Sequence, residues 1–405
     1  MSNEINQVKK VRFYPSSILN HYVTKGYTPV PYGTNAIPYP SIVGSSTVNG
    51  SSFSPSSLRA LVGMHPYKEH SLAVSVTSSS ESINFYYPLG NINEDNFNCN
   101  YFALLGSNLG TLNGKMRLYA HNYSNGSDTL LSVEPILNCQ IINTNEITPT
   151  FNTAYWTDTV GESPSMPSNG TVMVKIDDSP LNQTANVGGG LRIEIVPEAG
   201  GNNKFLANFF RLGGFSWGRY YDMPFSPDLS YSINYSFEGI DVKRTKSGSD
   251  TIYARYHKRP LFSERYVPFV GHKIEDYETT PIYQIGRRTF KLNYSSFKSG
   301  YTNTYDEETG FLFPKTTWNM DEAHYSNDFY FRVMHQTLGG KLPCIFELDN
   351  STQTDDDNTA NNSYWPYGEH NESNFIIGRI DNKNTSFKHK SHKHYNFSIS
   401  IQETW

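Results

Sequence analysis

Residues 214–218, Gly-Phe-Ser-Trp-Gly, match the G-x-S-x-G spacing in which a serine on a sharp strand-to-helix turn is the nucleophile of an α/β-hydrolase. Asp and His residues that could complete a triad lie downstream. The flanks do not suit that turn. Tyr220 and Tyr221, then Pro224 and Pro227, oppose a helix after the serine, and the strand–helix alternation of the hydrolase fold is missing. Ser216 is therefore read as part of a glycine-permitted bend at a domain joint. The glycines at 188–190 precede a strand pattern rather than a helix, so they lack the aligned amides that hold phosphate. Asp355, Asp356, Asp357 and Glu369 offer oxygen ligands to a hard cation, without the Gly and distal Glu of a calcium loop, and read as a solvated loop. Residues 388–394, KHKSHKH, hold the densest histidines. His392 and His394 would share a strand face, but the neighbouring lysines repel a cation, so a basic turn facing solvent or a partner is expected. Carboxylate pairs suited to glycoside hydrolysis occur by chance among 38 acidic residues. No catalytic, cofactor or metal residue is assigned, and the chain is read as non-enzymatic. Tyr364, Trp365 and Tyr367, with Trp156 next, are the aromatic candidates for contact with a sugar ring or a protein partner.

The elements around these residues are short strands. The chain of 405 residues is 37% apolar, with 29 Tyr, 24 Phe, 30 Gly and 22 Pro, a composition for β-structure joined by many turns. Its length accommodates two or three domains with their own cores. A net charge of −5 with both signs scattered along the chain gives no electrostatic footprint for nucleic acid. Three widely spaced cysteines, Cys99, Cys139 and Cys344, form neither a disulfide framework nor a metal motif and read as buried thiols. The N-terminus lacks a signal-peptide core and no apolar run approaches the ~18 residues of a membrane span, so a soluble protein made in a cytoplasm is expected.

Residues 1–57 show little periodicity: such a stretch is either floppy in the free protein or, through its Tyr- and Pro-rich parts, an extended arm lying across a neighbouring surface. Alternation sharpens at Leu72, Val74 and Val76. Strand patterns follow at 101–105, 115–121, 135–143, 171–177 and 191–195, as in an antiparallel sandwich over 58–214. Residues 215–230 read as a linker. Beyond it, 231–405 reads as a second antiparallel β domain with strands near 230–239, 250–259, 287–297, 342–349, 375–381 and 395–405. One helix is expected near 326–338, capped by Ser326 or Asn327, presenting Tyr330, Val333, Met334 and Leu338 on one face and closed by Gly339. The fold class is mainly β: a jelly-roll sandwich plus a second β domain carrying one α-helix.

The order of YFALLGSNLGTLNGKMRLYAHN, LRIEIVPEAGGNNKFLANFFRLGGF, LGGKLPCIFELD and a last strand ending in Trp405 resembles a family of bacteriophage tail-tip or baseplate proteins. The resemblance covers roughly residues 70–405. It implies a galactose-binding-like, discoidin-type jelly roll followed by a second β domain, a structural role in the virion, and assembly as a homo-oligomeric ring or collar with other tail proteins. Nucleic-acid, membrane and cofactor partners are not expected. The alternative is an adhesin or receptor-binding protein that takes a host glycan.

Overall fold

A computed structural model describes residues 11–25, 43–46, 61–64, 70–72, 82–88, 99–109, 114–122, 126–137, 139–142, 145–149, 170–177, 189–196, 210–224, 226–236, 240–254, 287–298, 328–348, 375–381, 386–391 and 394–404. The fold is mainly β, as the composition predicts, and every described strand pairing is antiparallel. Seven strands form one sheet, in which Gly189–Val196 lies between Ile83–Pro88 and Lys115–Asn122. Four strands form a second, ordered Gly214–Gly218, Tyr101–Ser107, Gly170–Ile176 and Val133–Leu137. Eight form a third, running from Tyr221–Asp222 through Arg12–Pro15, Cys344–Glu347, Phe375–Ile380, His394–Glu403 and Arg287–Lys298 to Ser232–Ser236, with Ser386–Ser391 paired to His394–Glu403.

The period-two rule explains how these sheets stack. In Tyr101–Ser107 every residue is buried. Phe102 and Leu104 join Phe85, Leu118 and Ile193 in the core facing the seven-stranded sheet. Tyr101, Ala103 and Leu105 point the other way and meet Tyr14, Ile345 and Ile377 of the eight-stranded sheet. The four-stranded sheet is thus the middle layer, covered on both faces. The far face of the eight-stranded sheet carries Phe13, Phe346 and Ile401 beneath Phe329 and Val333, so a helical segment forms the outermost layer.

That helical segment differs from the expected α-helix. Tyr330–His335 is a π-helix. Asp328 caps it, its Oδ1 accepting from the Phe331 amide at 2.9 Å, while Ser326 and Asn327 lie outside the described residues. The wider turn shifts the apolar face: Phe329, Val333 and Met334 are buried and Tyr330 is 42% exposed. Gly339 closes it as expected, with φ 69°, and Leu338 before it also takes a left-handed conformation, φ 51°.

Three boundaries also differ from the sequence reading. The sandwich extends beyond 58–214, because Val43–Ser46 pairs with Ile83–Pro88 and Gly214–Gly218 is an edge strand of the middle sheet. Residues 215–230 are not simply a linker: after Gly218 the chain passes at once into Tyr221–Asp222, which pairs with Arg12–Pro15. The N-terminal stretch is not simply an extended arm either. Arg12–Pro15 is inserted in the eight-stranded sheet between Tyr221–Asp222 and Cys344–Glu347, and Ser17–Lys25 is an α-helix. Aromatic side chains decide this. Phe13 packs on Phe346 at 5.3 Å, and Tyr14 meets Tyr101 edge-on at 5.1 Å. Burying a large aromatic on each face stabilises a strand far more than solvation stabilises an arm. Tyr14→Ala should therefore cost at least about 3 kcal/mol in urea unfolding, the scale for truncating a buried aromatic. A loss below about 0.5 kcal/mol, the scale of a surface change, would show that the segment is peripheral.

Candidate functional site

Ser216 lies in the middle of the Gly214–Gly218 strand and is fully buried, so no nucleophile elbow forms. Its hydroxyl is 3.0 Å from that of Tyr101, which also lies 3.0 Å from the Tyr14 carbonyl and 2.9 Å from the Pro15 carbonyl. A phenol has one proton. Tyr101 shares it between the two carbonyls, so Ser216 must donate its own proton to the Tyr101 oxygen. Burial holds the Tyr101 phenol well above its ordinary range, with the bond to Ser216 a smaller, opposing influence. The group is a polar tie between the middle sheet and the N-terminal strand.

The glycines of the motif have a steric cause rather than a bend. A Cβ at Gly214 would stand 2.6 Å from the Leu61 carbonyl oxygen, and one at Gly218 would collide with the Pro15 carbonyl and lie 2.7 Å from the Ser17 hydroxyl. Of the other glycine run, Gly189 and Gly190 begin a strand, and no helix follows them to supply amides. All three cysteines are free. Burial pushes the Cys139 and Cys344 thiols up to about 12, away from the thiolate that nucleophiles and metal ligands need. Residues 386–391 form a strand paired with His394–Glu403, with Lys388, His389 and Lys390 exposed, and His392 lies outside the described residues. Among the described residues no group of three His, Cys, Asp or Glu is placed to hold a metal. Trp156, Asp355, Asp356, Asp357, Tyr364, Trp365, Tyr367 and Glu369 also lie outside the described residues.

Several charges on the seven-stranded sheet pair with one another. Lys115 and Arg117 reach Glu146 at 2.8 and 2.7 Å, and Arg192 lies 4.2 Å over the Tyr119 ring. Partial burial pushes the Glu146 carboxyl up, but the bonds from Lys115 and Arg117 outweigh it and hold the group below the usual carboxylate range. Sequence gave no signal for a second pair, Arg288 and Glu403, 115 residues apart. Glu403 is 1% exposed and takes Arg288 Nη2 at 2.9 Å, Nε at 3.2 Å and the Arg288 amide at 2.9 Å. This pair fastens the last strand.

Among the described residues, 229–236 and 240–254 present an open surface. Ser232–Ser236 is an edge strand, paired on one side with Arg287–Lys298. Beyond it, Ile240–Arg244 and Asp250–Ala254 form a ribbon that pairs only with itself among the described strands. Residues 242–250 are all exposed. The tip is nevertheless ordered: Gly248 has φ 87°, its amide donates to the Thr245 carbonyl at 3.0 Å, and the Thr245 amide donates to Ser249 at 2.8 Å. Leu229 (68%), Ile233 (38%) and Val242 (61%) place three exposed aliphatic side chains within this one segment. Lys243, Arg244 and Lys246 surround the tip. This arrangement suits a protein contact, having no convergent polar groups for a small ligand.

No protein-family profile and no curated protein sequence matches the chain.

Tyr101→Phe should cost about 1–3 kcal/mol, because two carbonyls in a dry interface lose a donor, whereas Ser216→Ala should cost about 1 kcal/mol. Ser216→Ala should also leave the hydrolysis of p-nitrophenyl acetate unchanged. Denaturation and a colorimetric ester assay check both, and an ester rate that falls with Ser216→Ala would restore the hydrolase reading.

Proposed function

We propose that this chain is a non-enzymatic structural subunit of a bacteriophage virion, placed at the tail tip, baseplate or a collar, and working as a symmetric homo-oligomer with other tail proteins. The observation that supports this reading is an open strand edge at Ser232–Ser236 and, at 240–254, a ribbon that pairs only with itself among the described strands, with residues 242–250 exposed. A two-stranded ribbon alone is marginally stable at best, and an open edge is a template for another strand. A neighbouring copy that covers Leu229, Ile233 and Val242 removes both liabilities. When such a head-to-tail contact closes on itself, the product is a ring. The identity of the assembly rests on the resemblance of segments 101–122, 191–215 and 338–349 to phage tail proteins, and the galactose-binding-like character of the sandwich belongs to the same proposal. The burial of Ser216 and Cys344, and the raised pKa of the partly buried Cys139 thiol, support the non-enzymatic part.

Quantitative peptide mass spectrometry on density-purified particles tests this directly. A copy number of six, or a small multiple of three or six, is expected. Ile233→Asp with Val242→Asp should lower that number while leaving the melting temperature of the isolated chain unchanged, since both side chains are exposed. Absence of the chain from particles overturns the virion reading, and hundreds of copies would move it to a capsid or tail-tube lattice.

A further inference from the structure

The eight-stranded sheet is covered unevenly on the side of the middle sheet. At Tyr14, Ile345 and Ile377 that face is buried. Arg379 follows Ile377 by two residues, so the two share a face, yet Arg379 is exposed. Strand register carries the open half of this face across the sheet. Arg379 stands opposite Gln402, Lys291 opposite Ser400, Asn293 opposite Ser398, and Lys388 opposite Asn396. The alternate residues Phe397, Ile399 and Ile401 fill the core on the other side.

The open half is polar and cationic. Lys291, Arg379, Lys388, Ser398 and Gln402 are exposed, and none of the three cations takes part in an ion pair among the described residues. Neutral groups lie between them: Ser398 Oγ donates to Asn293 Oδ1 at 2.7 Å, and Asn293 Nδ2 donates to Ser230 Oγ at 3.3 Å. Glu403 belongs to the opposite face and is bound to Arg288. Two carboxylates stand at the margins, Asp228, which accepts from Ser295 at 2.8 Å, and Asp381, half-buried where the strand of Arg379 ends. Gln402 and Asn396 are six residues apart, so Arg379 and Lys388 flank roughly 20 Å of surface at ~3.4 Å per residue. Lys291 faces them from the other side of the last strand.

We propose that this open half-face binds an acidic polysaccharide, a chain of sugars bearing carboxylates, with Lys291, Arg379 and Lys388 holding its charges and Asn293, Ser398 and Gln402 its hydroxyl groups. The spacing of the cations favours this ligand over nucleic acid. A DNA duplex presents one charge per ~1.7 Å of axis, roughly a dozen over the ~20 Å between Arg379 and Lys388. Three cations on a chain of net charge −5 do not match that density. Carboxylates separated by whole sugar units are sparser, and the hydroxyl groups between them suit Ser, Asn and Gln side chains that both donate and accept. The site is separate from the contact proposed for a neighbouring copy. Ile233 stands opposite Phe290, one step from the Ser232–Lys291 pair, so alternation puts it on the other face.

The test is affinity electrophoresis of the full chain through gels containing alginate, a polyuronate, with dextran as the neutral polysaccharide and duplex DNA as competitor. Retardation that saturates with alginate, weakens as sodium chloride is added and is absent in dextran is expected, because contacts between exposed charges are screened by salt. Arg379→Gln with Lys388→Gln should weaken binding about 5-fold, the scale for losing two exposed ion pairs, and adding Lys291→Gln should weaken it further. The melting temperature should stay unchanged, since these side chains are exposed. Lys175→Gln with Lys341→Gln removes the same charge elsewhere and should leave the retardation as it is in the wild type. Duplex DNA should not displace the alginate. No retardation in alginate, equal retardation in dextran, displacement by DNA, or an equal loss in both double variants overturns the proposal.

Discussion

A β-sheet with apolar side chains on both faces has to be covered twice, and that requirement organises this protein. The middle sheet presents Phe102 and Leu104 to one neighbour and Tyr101, Ala103 and Leu105 to the other. The N-terminal segment 11–25 joins the layers. Val11 and Phe13 enter the core beneath the helix, Tyr14 and Leu19 enter the interface with the middle sheet, and Ile18 and Tyr22 lie against the sandwich core. One short piece of chain thus contributes to all three apolar cores. The close approach of Gly218 to Pro15 and Ser17, and the shared proton of Tyr101, are local consequences of that convergence.

Much of the strand content is legible in the sequence because it rests on local alternation. The patterns at 115–121, 191–195 and 395–401 become paired strands since each has one face buried and one half-solvated or exposed. The strand Arg12–Pro15 is not legible. It is four residues long, too short for a period to show, and is held by partners more than 200 residues away, Tyr221 and Phe346. The strand around Ser216 was hidden differently: its glycines suggest a bend, while the reason for them is contact with Leu61 and Pro15, which sequence does not display. A helical segment near 326–338 is legible, and Val333 and Met334 of its expected face are buried, but Tyr330 turns outward in the π-helical turn. Of the candidate site, Ser216 lies buried within a strand rather than on the bend that its glycines suggest. The exposed ribbon left only strand patterns, with nothing to indicate that it would pair with itself.

The distribution of polarity separates a frame of paired charges from a surface of exposed aliphatic and basic side chains. Charges on the sandwich face and at the C-terminus close on one another, as Glu146 does with Lys115 and Arg117 and Glu403 with Arg288. Segment 229–254 instead carries exposed aliphatic and basic side chains on an ordered turn. An ordered turn of this kind would lose little conformational freedom if covered, which is consistent with the assembly proposed above.

Native-state hydrogen exchange on the full chain tests the central claim, that segment 11–25 is a shared structural element of the frame. If it is, the amides of Arg12–Pro15 exchange only through the same opening that exposes Tyr101–Ser107 and Gly214–Gly218, with matching free energies and matching dependence on denaturant. If Arg12–Pro15 exchanges at lower free energy while the other two strands stay protected, the segment is a detachable arm and the layers hold together without it.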